Sequence, residues 1–278
     1  MKCSDCPRFC QVDRQKEKGF CLAQNKIVVS KIIENFMWEE PCITGEKGTL
    51  AIFFAGCNLR CSFCQNYKIS HQLVGSEFSP AQFRQKLESF CLENYSALEL
   101  ITPTHFSSLL LQAFEGFDCP IPVVWNSGGY ENEETIEKIA KFVDVFLPDF
   151  KYSDNTLANK LSLAPNYFEV ATKAISTMAR LKPNIWQNNK LKQGVLIRHL
   201  VLPQNVQNSI GVLNAIKKEV DRPLISLMSQ FIPFGKPFDR KLLPLEYKIV
   251  VSHAKKLGLN HGYIQELESA KSEFVPKF

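Results

Sequence analysis

From residue 48 onward, apolar runs short enough for strands alternate with stretches whose apolar residues recur every three or four positions. The runs are "TLAIFFAG", "ALELIT", "IPVVWN", "VDVFLPDF", "GVLIRHLVLP" and "LISLMSQF". Each is almost continuously apolar instead of alternating, which is the pattern of a parallel strand covered on both faces. Helix starts lie between them. Ser79 precedes Pro80, Asn132 precedes Glu133 and Glu134, and Asn205 precedes a face carrying Val206, Ile210 and Leu213. Repeated βα units predict an α/β fold, either a doubly wound sheet or a complete or partial barrel. "HGYIQE" offers one last short strand.

The turn after the first run decides between these folds. It carries no G-x-G-x-x-G, so a dinucleotide-binding sheet has little support. Instead it reads "GCNLRCSFCQN", with Cys57, Cys61 and Cys64 at the spacing C-x3-C-x2-C. In parallel α/β folds the chemistry gathers at the C-terminal strand ends. Several other runs also end in polar groups: Thr102, Thr104 and His105; Asn126, Ser127 and Glu131; Asp149 and Lys151; Arg198 and His199; Ser229 and Gln230. These are expected to converge on one mouth.

Composition changes the picture in two ways. Lys+Arg 33 against Asp+Glu 28, with the basic residues scattered, describes a solvated surface without a nucleic-acid footprint. The chain opens MKCSDCPRFC without an apolar leader region, and no window approaches the roughly 18 apolar residues of a membrane span. A cytoplasmic location without membrane contact is expected. Ten cysteines then point to metal or redox chemistry in place of disulfides. Seven fall in two groups: Cys3, Cys6, Cys10 and Cys21, then Cys57, Cys61 and Cys64. Of the remaining three, Cys91 shares a helical stripe with Phe83, Leu87 and Phe90 and is predicted to be core. Cys119 receives the same reading, and Cys42 is ambiguous.

Structural zinc closes a tetrahedron with four ligands, and this loop provides three. An iron–sulfur cubane on three cysteines keeps one iron open for a small molecule. The N-terminal four thiols lie in a segment too poor in apolar residues to fold alone, so a metal centre would serve as its core. Only one C-x2-C pair is present there, which favours an auxiliary iron–sulfur cluster over zinc, with free or redox thiols third. Arg8 and Arg14 would offset its charge, unless they are simply solvated.

The C-x3-C-x2-C loop with Phe63 before its last cysteine resembles the signature of the radical S-adenosylmethionine superfamily. "CSDCPRFCQVDR", "GCNLRCSFCQNYKIS", "ITPTHF", "NSGGYE", "LPDFKY" and "RHLVLP" are similar to motifs of uncharacterised homologues of the pyruvate formate-lyase activating enzyme (the PflX-like branch), over nearly the whole chain. The resemblance implies a partial (β/α)6 TIM-like barrel over residues 45–278, preceded by a Cys-rich metal-binding segment over residues 1–44. It implies a 4Fe-4S cluster on Cys57, Cys61 and Cys64 that binds S-adenosylmethionine. Reduction would cleave this cofactor to methionine and a 5′-deoxyadenosyl radical, which takes a hydrogen atom from a substrate. A protein or peptide substrate, as in glycyl-radical activation, and a flavodoxin or ferredoxin donor are implied partners. A small-metabolite substrate and a plain electron-transfer protein are the alternatives.

The same resemblance puts Phe63 near the adenine, and Asn126, Ser127 and Asp149 along the methionine or ribose side. Asp149 and Lys151 resemble a D-x-K motif, and the guanidinium fork of Arg198 suits the cofactor carboxylate. An internal ion pair is the other reading of Asp149, Lys151 and Arg198. Where many relatives have Gly-Gly-Glu after the second strand this chain has "TPTH", so Thr104 or His105 is the expected substitute. A structural hydrogen-bonding role is the competing reading of His105 and His199, and His253 is predicted to be core with Ile249 and Leu257.

Overall fold

Six parallel strands form where the continuous apolar runs predict them. The computed structural model describes residues 2–233 and 237–267. Its strands are β1 (Ile27–Phe36), β2 (Thr49–Phe54), β3 (Ser76–Phe78), β4 (Ala97–Ile101), β5 (Val123–Ser127), β6 (Val145–Pro148), β7 (Ile185–Gln187), β8 (Lys190–Leu200), β9 (Leu224–Met228) and β10 (Gly262–Ile264). They hydrogen-bond in the order β10-β9-β8-β6-β5-β4-β2-β1-β3, with β7 attached to β8. Pairing is parallel from β2 across to β10, and antiparallel where β1 meets β2 and β3 and where β7 meets β8. The sheet does not close, so the architecture is a partial TIM-like barrel, with "HGYIQE" supplying the final strand β10.

Every residue of β2, β4, β5, β6 and β9 is buried. Period-2 alternation splits them between two packed layers. Leu98, Leu100, Val123, Trp125, Phe146, Ile197 and Ile225 pack outward in the main core with helices such as Ser107–Phe114, Tyr167–Leu181 and Val206–Glu219. Ala97, Val124, Val145, Leu147, Leu196 and Leu224 pack in a second cluster with Cys42 and Ile43. The residues of this second set share their strand face with Glu99, Asn126, Asp149 and Arg198, which places those four on the inner side.

Residues 27–36, left in the Cys-rich segment by the sequence, form β1, which pairs antiparallel with β2 from Val29↔Phe54 to Phe36↔Thr49 with two register shifts on the way. The sheet therefore begins ahead of residue 45. Cys42 is buried in the short helix Pro41–Thr44 against β8.

Two core assignments need correction. The helix with Phe83 and Leu87 spans Pro80–Glu88 and stops at Ser89, so the stripe never reaches Cys91, which is exposed. The helix Pro244–Lys256 buries Tyr247, Val250 and Ala254. Ile249 is exposed, and His253 binds Asn214 Oδ1 at 2.8 Å on the outer side.

Candidate active site

β2 ends at Phe54, and the chain turns through Ala55 and Gly56 into the cysteine loop. Gly56 has φ +78°, and a Cβ there would lie 2.3 Å from the Cys21 carbonyl oxygen. Glycine is thus required both by conformation and by the close approach of the N-terminal segment. The loop is pinned on its far side: Arg60 and Ser62 donate their N–H groups to the carbonyls of Ser162 (3.0 Å) and Leu161 (2.8 Å), at the end of helix Asn155–Ser162.

Cys57, Cys61 and Cys64 line one cavity with Phe63, Asn126, Ser127, Asp149, Lys151 and Arg198. Each sulfur has a polar neighbour. Leu59 N–H donates to Cys57 Sγ at 3.4 Å, Ser162 Oγ to Cys61 Sγ at 3.0 Å, and Ser70 Oγ lies 3.3 Å from Cys64 Sγ. Burial, then repulsion from the neighbouring thiolates, pushes Cys57 up to about 12 and Cys64 up to about 11; burial also raises Cys61, against the pull of Lys151. Three thiolates are costly here without added positive charge, and a cluster core supplies such charge. The donor set fits a cluster in that sense. Among the described residues no group of three or more His, Cys, Asp or Glu side chains stands at the spacing of a single metal ion.

Arg198 organises the opposite wall. Its Nε donates to Asp149 Oδ1 (2.9 Å), Nη1 to Glu39 Oε2 (2.7 Å) and Nη2 to Asn126 Oδ1 (2.6 Å). Lys151 Nζ pairs with Asp149 Oδ2. Burial alone would raise the Asp149 carboxyl, yet Arg198 and Lys151 hold it below its ordinary value. Glu39 is pushed up to about 8, mainly by burial and against Arg198, with Glu99 and Asp149 adding repulsion. Asn126 also donates to Glu99 Oε1 at 2.9 Å. The internal ion pair and the cavity wall are therefore the same residues. Glu39 and Glu99 escaped the sequence reading: inward parity marks Glu99 on β4, but Glu39 comes from a segment outside any strand.

Thr104 and His105 are engaged elsewhere and are not among the residues lining this cavity. Thr104 Oγ1 donates to Glu131 Oε1 (3.0 Å), a buried carboxylate that also accepts from Trp125 Nε1 (2.6 Å) and Ser127 Oγ (2.7 Å). His105 is fully buried with Nε2 2.8 Å from the Ala55 carbonyl, and burial drops it to about 3. His199 has outward parity and bridges the Phe150 carbonyl (2.7 Å) and Ser209 Oγ (2.8 Å).

The N-terminal cysteines form a knob against the loop. Cys3, Cys6 and Cys21 are buried and Cys10 is half-buried. Burial, and after it the charges of Cys21, Cys3 and Cys10, push Cys6 up to about 12. Arg14 is buried, with Nη1 donating to the His105 carbonyl (2.6 Å) and to Asp5 Oδ2 (3.2 Å). Arg8 Nε donates to the Asn58 carbonyl at 2.9 Å, and Arg60 Nη2 to the Phe20 carbonyl at 2.5 Å.

No family model matches the chain. It is 28% identical to an uncharacterized protein of Methanocaldococcus jannaschii, over 94% of this chain and 76% of that one. Among solved structures it is similar to Streptococcus suis SuiB bound to S-adenosylmethionine (14% identity, TM-score 0.52, 78% of this chain and 50% of that chain). SuiB bound to its precursor peptide SuiA matches at 14% and TM-score 0.52, over 78% of this chain and 48% of that chain. A radical SAM methyltransferase from Sphaerobacter thermophilus matches at 12% and TM-score 0.51, over 77% of this chain and 66% of that chain. The chain spans about half the length of the SuiB structures. At these identities the shared property is the fold alone. Among the described residues no helix is long and apolar enough to cross a membrane.

Proposed function

We propose that this protein is a radical S-adenosylmethionine enzyme whose 4Fe-4S cluster is held by Cys57, Cys61 and Cys64. The observation that carries this reading is the position of these three thiols: after the first parallel strand, in one cavity with Asn126, Ser127, Asp149, Lys151 and Arg198. When bound, the cluster and cofactor supply the reductive cleavage that yields methionine and a 5′-deoxyadenosyl radical. The chain's own groups bind and shield. Asn126 offers a polar contact for the cofactor's methionine or ribose, Ser127 lines the cavity while its hydroxyl donates to Glu131, and the Asp149–Lys151–Arg198 network fixes a charged wall of the cavity. Phe63, with Phe231 and Phe238 at ring-centroid distances of 6.2 and 6.0 Å, makes an apolar cover suited to adenine and to excluding water.

Cys3, Cys6, Cys10 and Cys21 hold the second metal centre in this reading, with iron–sulfur preferred to zinc. A peptide or protein is the proposed substrate class, supported by the peptide complex of SuiB, and a flavodoxin or ferredoxin is the proposed electron donor. The test is anaerobic reconstitution with iron and sulfide, reduction, and chromatography for 5′-deoxyadenosine. Nucleoside from the wild type but not from Cys57→Ala is expected. A fully loaded wild-type cluster that makes no nucleoside, and whose electron resonance spectrum ignores S-adenosylmethionine, would leave an electron carrier as the better reading.

A further inference from the structure

Arg8 stands where the two cysteine groups meet, and its surroundings differ from those of its basic neighbours. Its Nε donates to the carbonyl of Asn58, the residue that follows Cys57, at 2.9 Å. Its guanidinium lies 3.7 Å from the centroid of the Phe20 ring and 5.3 Å from that of Tyr130. Asn58 Nδ2 donates to the Tyr130 carbonyl at 2.7 Å, so the residue bound to Arg8 is itself fixed to the barrel. Arg14 is charge-paired with Asp5, and Arg60 spends its donors on the carbonyls of Cys57, Leu59 and Phe20. Among the described residues Arg8 has no carboxylate partner, and its Nη2 is buried with no hydrogen-bond acceptor.

We infer that Arg8 is a charge shared by the two metal centres: its buried Nη2 is the donor for a thiolate or cluster sulfur, and its guanidinium raises the reduction potential of the loop centre. This rests on the iron–sulfur reading above. Arg8 stands two residues from both Cys6 and Cys10, and its Nε holds the carbonyl next to Cys57, so the two cysteine groups flank one guanidinium. A fixed cation beside a cluster stabilises the added electron, and hydrogen bonds to its sulfurs act in the same direction. The knob is thereby more than an anchor. A loaded N-terminal centre places negative charge on the other side of the same guanidinium, and the charge available to the loop centre depends on that occupancy.

The test uses the full chain, reconstituted anaerobically, with iron and zinc counted per chain. A mediated redox titration with dithionite follows the one-electron reduction of the loop cluster by electron resonance. In Arg8→Gln the reduced-to-oxidised ratio at a fixed potential is expected to fall at least about tenfold, a downward shift of about 59 mV for a one-electron couple. Arg8→Met, which keeps aliphatic packing on Phe20, is expected to shift equally if the glutamine variant loads poorly. Arg8→Lys restores the charge and is expected to stay near wild type. Neutral variants with wild-type metal content and an unmoved midpoint would overturn the inference, as would a lysine variant that shifts as far as they do. A wild type that takes up no loop cluster would instead bring down the reading on which the inference stands.

Discussion

The two cysteine groups, both proposed to hold a metal centre, stand on opposite kinds of support. Cys57, Cys61 and Cys64 hang from the end of β2, gripped by Ser162 and Leu161 of a barrel helix, and face a wall of interlocked charges. Cys3, Cys6, Cys10 and Cys21 sit in a knob made of turns and one isolated bridge, Lys2↔Asp13. Three non-glycine residues in that knob, Phe9, Gln11 and Leu22, have φ of 43°, 55° and 69°. Such conformations cost about 1–2 kcal/mol each for residues with a Cβ. The loop is shaped by the strand and helix ends that carry it, whereas the knob, among the described residues, has no regular element of its own and is tied to the barrel by side-chain hydrogen bonds such as Arg8 to the Asn58 carbonyl, Arg14 to the His105 carbonyl and Thr135 to the Asp5 carbonyl. A scaffold can prepare one ligand set, and a ligand can organise the other.

The largest effect should come from the prepared side. Cys61→Ala or Cys64→Ala is expected to bring nucleoside formation to background, the outcome also expected of Cys57→Ala, while the circular dichroism spectrum and the cooperativity of urea unfolding persist. Loss of cooperative unfolding would mean that the barrel leans on its loop as the knob is proposed to lean on a metal.

Asp149→Asn comes next. It leaves Lys151 and Arg198 buried without their shared carboxylate, and removal of one partner from such a network costs about 3–5 kcal/mol. Urea denaturation of the metal-free protein reads this directly, and a change below about 1 kcal/mol would show that Glu39 takes over the pairing. On the knob side, Cys6→Ser is expected to lower the metal count per chain and to strip amide exchange protection from residues 2–23. Protection in β4, β5 and β6 should be unchanged, because those strands are central in the sheet and pair with one another and not with the knob. Equal loss in both regions would erase the contrast between them.

The contrast also explains what could be read from the chain. Strands with both faces covered announce themselves as continuous apolar runs, so β2, β4, β5, β6, β8 and β9 were legible. β1 was not, because Ser30, Lys31, Glu34 and Asn35 interrupt its apolar residues and its pairing is antiparallel. The cysteine spacing and the polar strand ends pointed to one mouth, but that reading grouped His199 with Arg198, and the structure turns Arg198 inward and His199 outward. What the chain could not display was partnership at long range. Nothing local tells that Glu39 reaches Arg198, 159 residues away, or that Thr104 serves Glu131. Cys91 and His253 were misplaced for a simpler reason: a helical stripe has no meaning beyond the helix end, and at the surface a stripe one step out of phase looks much the same.

The smallest change tests the seam between the regions. Gly56→Ala adds one methyl group at φ +78°, about 1–2 kcal/mol of backbone strain, and drives it toward the Cys21 carbonyl oxygen. Relief can come from the barrel or from the knob. Gly56 N–H is held by the Ile69 carbonyl at 2.8 Å and Ala55 N–H by the Val28 carbonyl at 2.9 Å, so the barrel side is the stiffer of the two. The knob is therefore expected to give way: faster amide exchange and proteolysis within residues 2–23, with global unfolding shifted by no more than about 2 kcal/mol. If the loop moved instead, nucleoside formation would fall with the knob still protected, and the order of rigidity argued from these hydrogen bonds would be reversed.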